Sequence, residues 1–159
     1  MFTTADLCDK HPDLLLCCDS IFQSFGNKKK FFGKIVTIRL FEDNSLVRLQ
    51  LETDGNGKVL IINGGGSLRC ALIGDQLAAL SIRNNWSGII INGCIRDSDL
   101  INTMDIGIRA LATCPVKSIK RNIGEKEIPV KFGGVTFIPN QFVYVDVDGI
   151  ILSQKNLLY

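Results

Sequence analysis

The chain has 159 residues, of which 46% are hydrophobic and 21% charged, and its formal net charge is +2. These values describe one ordinary globular domain and argue against a broad basic surface for nucleic acid. Its apolar runs fall far short of the roughly 18 residues that a membrane helix needs, and its first residues lack the basic and apolar regions of a secretory signal, so we expect a cytoplasmic protein that binds neither membranes nor nucleic acid.

The cysteines, the basic run and the histidine are expected to have no functional role. No C-x-x-C pair occurs among the six cysteines, and without an export signal we expect reduced thiols that are buried or incidental. The one basic run, 28–30, is expected to be a solvated loop. His11 is the only histidine and precedes Pro12 in a predicted loop, so we expect it to be structural or incidental.

Two elements are predicted before the middle of the chain. Residues 34–41 alternate apolar and polar side chains, which is typical of a half-buried strand. Asn44 is expected to cap a short helix that carries Leu46, Val47 and Leu51.

The middle of the chain predicts a strand, a helix and a second strand. Residues 58–63 and 88–92 are nearly continuous apolar runs that each end at glycine, as buried strands do. Residues 75–84 between them have apolar side chains at helical spacing. Such a crossover unit places its two strands parallel, with a right-handed connection. Ligands tend to bind at the carboxyl ends of strands in this arrangement.

The remainder of the chain predicts short strands separated by glycine, proline, Asn140 and the Asp148-Gly149 turn. These strands are expected at residues 106–111, 128–132, 135–138, 142–147 and 150–152. No internal repeat or linker interrupts the sequence. The residues therefore predict one mixed α/β domain over 1–159, richer in strand towards its C-terminal half.

The glycine cluster Gly64-Gly65-Gly66 follows the first buried strand. It does not complete G-x-G-x-x-G, because Arg69 stands at the third glycine position, and no Gly-Lys-Ser/Thr follows. We therefore expect a tight turn where backbones crowd together. The alternative is that these small residues clear space for a compact ligand beside the strand end.

Asp75 stands at the predicted helix start, within Gly74-Asp75-Gln76-Leu77. Free backbone N–H groups and the helix dipole favour an anion at such a position, so a small carboxylate can dock there. The alternative is that Asp75 is an ordinary N-cap. The two roles are compatible.

Arg96 and Asp97 follow the second buried strand, at the sheet edge where the glycine cluster is also expected. Arginine binds a carboxylate through two parallel hydrogen bonds, and aspartate is a hard oxygen ligand for magnesium or manganese. The alternative is an unremarkable surface dipeptide. The position after a buried strand favours the functional interpretation.

Four segments together resemble one protein family: residues 64–69 (GGGSLR), residues 74–77 (GDQL), the pair Arg96-Asp97, and residues 132–135 (FGGV). This is the family shared by the regulator of ribonuclease activity A and the class II 4-hydroxy-4-methyl-2-oxoglutarate aldolases. The spacing from Asp75 to Arg96 matches the D-x20-R-D pattern of the aldolase members. The similarity extends over almost the whole chain.

The resemblance implies a swivelling β/β/α domain with mixed sheets, a homotrimer with sites near subunit interfaces, and a divalent metal cation, Mg or Mn. It implies that the backbone of Gly74, Asp75, Gln76 and Leu77 holds the substrate carboxylate. It further implies that Arg96 binds substrate and stabilises an enolate, and that Asp97 positions the metal, partly through water. Four acidic residues are candidates to complete the metal shell from a neighbouring subunit, and no sequence pattern distinguishes them: Asp99, Asp105, Asp146 and Asp148. Each is otherwise expected to be an ordinary turn or helix-start carboxylate.

The activity implied is that of a metal-dependent lyase that cleaves 4-hydroxy-4-methyl-2-oxoglutarate to pyruvate and decarboxylates oxaloacetate through a pyruvate enolate. Such an enolate needs a lysine Schiff base or a metal ion as electron sink. Lys58 is expected at the wrong end of its strand, and Lys117 and Lys120 lie in a segment with no predicted structure. A metal is therefore favoured.

The alternative function is a protein regulator that binds and inhibits an RNA-degrading endonuclease. Regulatory members share the fold and the Phe-Gly-Gly-Val segment. They depart from the aldolase pattern at the position of Asp97 and in the Gly-Asp-x-Leu stretch, and this sequence keeps both. Retention of the carboxylate beside Arg96 favours the enzyme.

Overall fold

The computed structural model describes residues 1–159 as four short helices around a mixed sheet. The helices are α1 (Thr4–Lys10), α2 (Ser45–Leu51), α3 (Asp75–Arg83) and α4 (Ser98–Ile101). The strands are β1 (Leu15–Cys17), β2 (Gln23–Phe25), β3 (Phe31–Arg39), β4 (Val59–Asn63), β5 (Ala71–Ile73), β6 (Gly88–Ile95), β7 (Ile108–Thr113), β8 (Glu125–Lys126), β9 (Val130–Phe132), β10 (Val135–Phe137), β11 (Phe142–Val145) and β12 (Ile150–Ser153). None of the helices is long and apolar enough to cross a membrane.

The main sheet runs in the order β1-β12-β11-β3-β4-β6-β7-β2, with β5 beside β6 and β8 beside β3. The four central strands, β3, β4, β6 and β7, are mutually parallel, and the outer strands are antiparallel. Strands β9 and β10 form a separate hairpin, closed by Gly133 and Gly134, which both have positive φ angles. Glycine tolerates that backbone conformation without steric cost.

Alternate residues of the central strands face two different cores. In β4, Leu60 and Ile62 pack beneath α2 and α3, whereas Val59 and Ile61 face the β9–β10 hairpin. All four side chains are fully buried. Helices α2, α3 and α4 therefore cover one face of the sheet and β structure covers the other, while α1 packs in a separate small cluster on the outer strands. The result is the mixed α/β domain that the sequence predicted.

The predicted crossover unit is confirmed, because α3 connects the parallel strands β4 and β6. The prediction that the second strand ends at Gly93 was wrong. Strand β6 continues to Ile95 because both of its edges remain paired. On one edge its neighbour changes from β4 to β5, and on the other edge it pairs with β7 throughout, with a register shift before Cys94. The first predicted strand, 34–41, lies at residues 31–39. Six short elements were not predicted: α1, β1, β2, β5, β8 and α4.

Both predicted helix starts are confirmed, and the caps differ from the prediction only in detail. Asn44 is the N-cap residue of α2, but its side chain makes no capping hydrogen bond. Its Nδ2 instead donates to the Leu72 carbonyl oxygen at 3.0 Å, so that Asn44 joins α2 to β5. Asp75 is the first helical residue of α3, and Gly74 is the N-cap.

Candidate active site

A polar cleft of about 180 Å³ lies where β5 and β6 end and α3 begins. Its walls include the segment 74–77 together with Arg96 and Asp97, so the structure brings all the predicted site residues into one place. The sequence had not placed the other polar groups that line it, which are Asn44, Arg48, Lys117, Ser118 and Lys120.

Asp97 is held against the start of α3. It follows β6 with a left-handed backbone, at φ 56° and ψ 37°. Its Oδ2 accepts a hydrogen bond from the Asp75 N–H at 3.2 Å and lies 3.9 Å from Arg96 Nε. The side chains of Arg96 and Asp97 remain 41% and 40% exposed, so both groups can meet a ligand.

Gly74 makes this close approach possible. A Cβ atom added there would lie 2.7 Å from Asp97 Oδ2 and 3.5 Å from Arg96 Nε. The backbone of Gly74 is extended, with φ −120°, a conformation open to any residue. Space for the Asp97 carboxylate, and not backbone freedom, is therefore what glycine supplies here.

The start of α3 retains free hydrogen-bond donors. The Asp75 N–H is taken by Asp97, but the N–H groups of Gln76 and Leu77 have no acceptor within the chain. Unpaired N–H groups at a helix start attract an anion. The geometry therefore suits a carboxylate docked on Gln76 and Leu77.

A segment without regular structure, residues 114–124, forms another wall of the cleft, and we call it the strap. The Ala71 N–H donates to the Val116 carbonyl oxygen at 2.7 Å, and the Asn44 N–H donates to Ser118 Oγ at 3.2 Å. These bonds place the side chains of Lys117 and Lys120 on the cleft.

Asp43 holds the far end of the strap. Its Oδ2 accepts hydrogen bonds from the N–H groups of Arg121 and Ile123 at 2.8 and 3.1 Å, and its Oδ1 accepts from Ser45. The carboxylate is almost fully buried. Sequence reasoning missed this contact because it joins residues nearly 80 positions apart and leaves no periodic pattern in the chain.

The cleft has an excess of positive charge. Four cationic side chains, Arg48, Arg96, Lys117 and Lys120, line it with only two anionic ones, Asp75 and Asp97. Apart from the contact between Arg96 and Asp97, none of the cations makes a side-chain hydrogen bond or ion pair within the chain. Such a cleft favours a small ligand with more than one negative charge.

Asp97 is also the residue that could hold a metal ion. Its Oδ1 accepts no hydrogen bond, and no group of three or more His, Cys, Asp or Glu side chains with suitable geometry occurs in the chain. Magnesium and manganese fit this single hard oxygen, because Mg²⁺ commonly binds through one or two carboxylates and keeps several waters. Zinc does not fit it, since zinc normally takes three or four protein ligands.

The glycine cluster does not line the cleft. Gly65 and Gly66 turn the chain with positive φ angles. A Cβ atom at Gly64 would meet the Leu72 side chain at 2.6 Å and the Asn92 carbonyl oxygen at 2.9 Å. The cluster is thus a turn where backbones crowd, as predicted, and the alternative of a ligand space beside it finds no support.

The remaining acidic candidates lie outside the cleft. Asp146 is buried and binds the N-terminal segment, because its two carboxylate oxygens accept from the Thr4 N–H and Thr4 Oγ1, each at 2.7 Å. Asp99, Asp105 and Asp148 are exposed. His11 is also outside the cleft, and all six cysteines are free thiols.

The buried Asp43 carboxylate makes stability depend on pH. Burial alone would raise its pKa, but hydrogen bonds from Ser45, Ile123 and Arg121 outweigh burial and lower the pKa from 3.8 to about 2. Because the folded pKa is the lower one, the stabilisation is complete above pH 4 and is lost as the pH falls towards 2. The shift corresponds to about 2 kcal/mol.

The Asp43→Asn variant should therefore unfold more easily than the parent chain at pH 7, by about 2 kcal/mol. The difference should shrink as the pH falls from 4 towards 2, because the unfolded parent chain takes up the proton before the folded chain does. Urea denaturation at a series of pH values measures both effects, with Asp13→Asn as a control that removes an exposed carboxylate. If the free energy of unfolding of Asp43→Asn equalled that of the parent chain at every pH, this carboxylate would not stabilise the fold.

The chain is thus an α/β protein with a mixed sheet and a small cationic cleft at the carboxyl ends of its parallel strands. The charge of this cleft suits a small anion. The family model described as "RraA-like: Aldolase/RraA" matches residues 4–152. The chain belongs to this family.

Similar proteins carry three different names. A protein of Aromatoleum aromaticum, 52% identical over 99% of both chains, is named "Putative 4-hydroxy-4-methyl-2-oxoglutarate aldolase". A crystal structure of "S-adenosylmethionine: 2-dimethylmenaquinone methyltransferase" from Geobacillus kaustophilus is 48% identical, with a TM-score of 0.97 over 99% of this chain and 98% of that one. The "RNA-processing inhibitor RraA from Thermus thermophilis" is 41% identical, with a TM-score of 0.94 over 98% and 94%.

Proposed function

We propose that the chain is a divalent-metal-dependent lyase that cleaves 4-hydroxy-4-methyl-2-oxoglutarate to pyruvate and decarboxylates oxaloacetate through the same enolate. One observation carries the proposal. A single cleft joins the free N–H groups at the start of α3 to the side chains of Arg96 and Asp97. These are the groups needed to hold a 2-oxo acid and to stabilise charge on its oxo oxygen.

The start of α3 orients the substrate. The C1 carboxylate docks on the N–H groups of Gln76 and Leu77, which have no other acceptor. The C2 oxo oxygen then faces Arg96, whose guanidinium is partly exposed in the same cleft. This arrangement fixes which end of the substrate enters first.

Arg96 stabilises the charge that develops during cleavage. The C3–C4 bond breaks and its electron pair moves to give the pyruvate enolate. The C4 carbon becomes the carbonyl of the second pyruvate as its hydroxyl proton passes to solvent water, which also supplies the proton that the enolate takes up. Protonation of the enolate at C3 completes the reaction. In oxaloacetate the same bond breaks with release of carbon dioxide, so one stabilised enolate serves both reactions.

A divalent cation supplies Lewis-acid stabilisation of the oxo oxygen when it is bound. Asp97 would hold it through Oδ1, while Oδ2 stays on the Asp75 N–H. A lysine Schiff base is the competing electron sink, and Lys117 and Lys120 do line the cleft. Both are exposed, so neither has the desolvated surroundings that commonly activate a lysine nucleophile.

The cleft does not suit a methyl transfer from S-adenosylmethionine. Its volume of about 180 Å³ is below the roughly 300–1,000 Å³ typical of sites for drug-sized ligands. Its lining is mainly polar, with three hydrophobic residues among thirteen. A small oxo acid fits both the size and the charge of this space.

Large apolar side chains are exposed on the loops around the cleft, and they favour a protein partner. They are Phe41, Leu68, Val116, Ile119 and Ile123, each more than half exposed. We propose that a second copy of the chain covers them in a homotrimer. Regulation of an RNA-degrading endonuclease through the same surface is the second candidate function.

Pyruvate release from oxaloacetate and from 4-hydroxy-4-methyl-2-oxoglutarate tests the proposal. The purified chain should convert both in the presence of Mg²⁺ and neither after chelation, and light scattering should give three times the mass of 17.5 kDa. Inhibition of an RNA-degrading endonuclease is measured in parallel. Inhibition without pyruvate release would select the regulator, and activity that survives chelation would exclude the metal.

A further inference from the structure

A second cavity lies outside the active-site cleft, and we call it the Arg109 cavity. It has a volume of about 330 Å³ and lies between residues 18–24 and the turn 146–149, which joins β11 to β12. Arg109 of β7 lines it, and only 5% of this residue is exposed. The Arg109 cavity shares no residue with the active-site cleft. The proposed reactions therefore leave it without a role.

The guanidinium of Arg109 is a buried positive charge without an ion-pair partner. Its Nη2 donates to the backbone carbonyl oxygens of Lys29 and Asp146 at 2.8 and 3.3 Å, and its Nη1 reaches the Ile108 carbonyl oxygen only at 3.4 Å. Its Nε–H has no acceptor, and no ion pair of the chain includes Arg109. Burial lowers the pKa of Arg109, and the charge of Asp146 offsets only part of this effect. Because buried charges are normally paired, this guanidinium lacks a negative partner.

The aspartates of the Arg109 cavity do not supply that partner. Asp146 is buried, but its Oδ2 accepts from the Thr4 N–H, and its Oδ1 accepts from Thr4 Oγ1 and from the Asp148 N–H. Asp19 and Asp148 are exposed, and neither carboxylate makes a hydrogen bond or an ion pair within the chain. The cavity therefore has an uncompensated positive charge on its buried side and two uncompensated negative charges on its exposed side.

The other lining groups suit a small and partly apolar ligand. Phe22 and Ile150 contribute apolar surface. Lys29 is exposed, and its Nζ donates to the Gly26 carbonyl oxygen at 2.7 Å, so its charge lies away from the buried side. The volume of about 330 Å³ falls at the lower end of the roughly 300–1,000 Å³ typical of small-molecule sites.

We propose that the Arg109 cavity binds an α-amino acid with an apolar side chain. The carboxylate of the ligand accepts hydrogen bonds from the Arg109 guanidinium, its ammonium group lies between Asp19 and Asp148, and its side chain packs on Phe22 and Ile150. A simple anion would lie close to three carboxylates, and a simple cation would lie close to the buried guanidinium. A zwitterion matches both charges. This inference does not depend on the proposed function.

Calorimetry with L-leucine and two analogues of similar shape tests the need for both charges. 4-Methylpentanoate lacks the ammonium group of leucine, and 3-methylbutylamine lacks its carboxylate. The parent chain should bind L-leucine about 10–10²-fold more tightly than either analogue, since each analogue loses one charge-assisted interaction. Equal affinity for L-leucine and one analogue would overturn the proposal. So would an absence of binding by L-alanine, L-leucine and L-phenylalanine alike.

A variant at the exposed side tests the position of the ammonium group. In Asp19→Asn/Asp148→Asn the affinity for L-leucine should fall about 10-fold, whereas the affinity for 4-methylpentanoate should not fall. The variant should fold, because both side chains are exposed and make no hydrogen bond. Asp9→Asn/Asp13→Asn is the matched control, since it removes the same charge at two exposed residues outside the cavity. Equal losses in the two double variants would show that Asp19 and Asp148 do not hold the ligand.

Two further variants test where the carboxylate binds. Arg109→Met removes the buried charge and keeps a long side chain, so it should bind L-leucine no more tightly than 3-methylbutylamine. If Arg109→Met fails to fold, the Asp19→Asn/Asp148→Asn variant decides the proposal. Arg96→Ala removes a cation from the active-site cleft and should bind L-leucine as the parent chain does. Loss of binding in Arg96→Ala, or unchanged binding in a folded Arg109→Met, would overturn the assignment to the Arg109 cavity.

Discussion

Replacing Asp97 by asparagine should lower the rate of pyruvate release by about 10²–10³-fold, the usual cost of losing one preorganised electrostatic contact. The variant should fold, because asparagine tolerates the left-handed backbone found at this position. Its side-chain oxygen can still accept the Asp75 N–H, which keeps the local geometry. The substitution therefore removes only the negative charge of the side chain, and with this charge the proposed ligand of the metal ion.

Steady-state kinetics with 4-hydroxy-4-methyl-2-oxoglutarate over a range of Mg²⁺ concentrations measures this effect. Asp99→Asn is the matched control, since Asp99 is an exposed carboxylate two residues further along and does not line the cleft. It should behave as the parent chain does. Full activity in Asp97→Asn at every Mg²⁺ concentration would remove Asp97 from the mechanism.

Replacing Gly74 by alanine should reduce activity by about 10–10²-fold, because small misplacements of reacting groups are costly. The new Cβ atom would lie 2.7 Å from Asp97 Oδ2, so the Asp97 carboxylate must move, whereas its distance of 3.5 Å from Arg96 Nε is an ordinary contact. Stability should change by less than about 1 kcal/mol, the scale of a glycine-to-alanine change at an N-cap. The colliding atom is the end of the flexible, partly exposed Asp97 side chain.

Activity and thermal unfolding measured on the same preparation separate these two effects. Gly149→Ala is the control, because a Cβ atom at Gly149 meets nothing within 4 Å. It should change neither quantity. If Gly74→Ala retained the activity of the parent chain, the close approach of Gly74 to the two side chains would have no catalytic importance.

The central strands and the helix between them were predictable because their signals are local. Strand β4 is an unbroken apolar run, and α3 has apolar residues at helical spacing. Burial in two cores, one on each face of the sheet, is what keeps such runs apolar. The short strands β1, β2 and β8 have two or three residues each, too few for a period to show.

The strap shows where prediction from sequence failed. Lys117 and Lys120 have no pattern that marks them, because the position of the strap depends on the distant Asp43 and on the Ala71 backbone. The pair Arg96-Asp97 was predicted to lie at a strand end, and the structure places it there. Its contact with the start of α3 could not be predicted from spacing alone, because it depends on the irregular register of β6.

Anomalous diffraction from crystals soaked with Mn²⁺ and oxalate tests the central claim most directly, since oxalate is a planar dianion that resembles the pyruvate enolate. We expect a manganese peak beside the Asp97 carboxylate, with one oxalate carboxylate on the N–H groups of Gln76 and Leu77 and with Arg96 on the metal-facing oxygen. Manganese bound away from Asp97, or oxalate bound outside this cleft, would contradict the proposed mechanism.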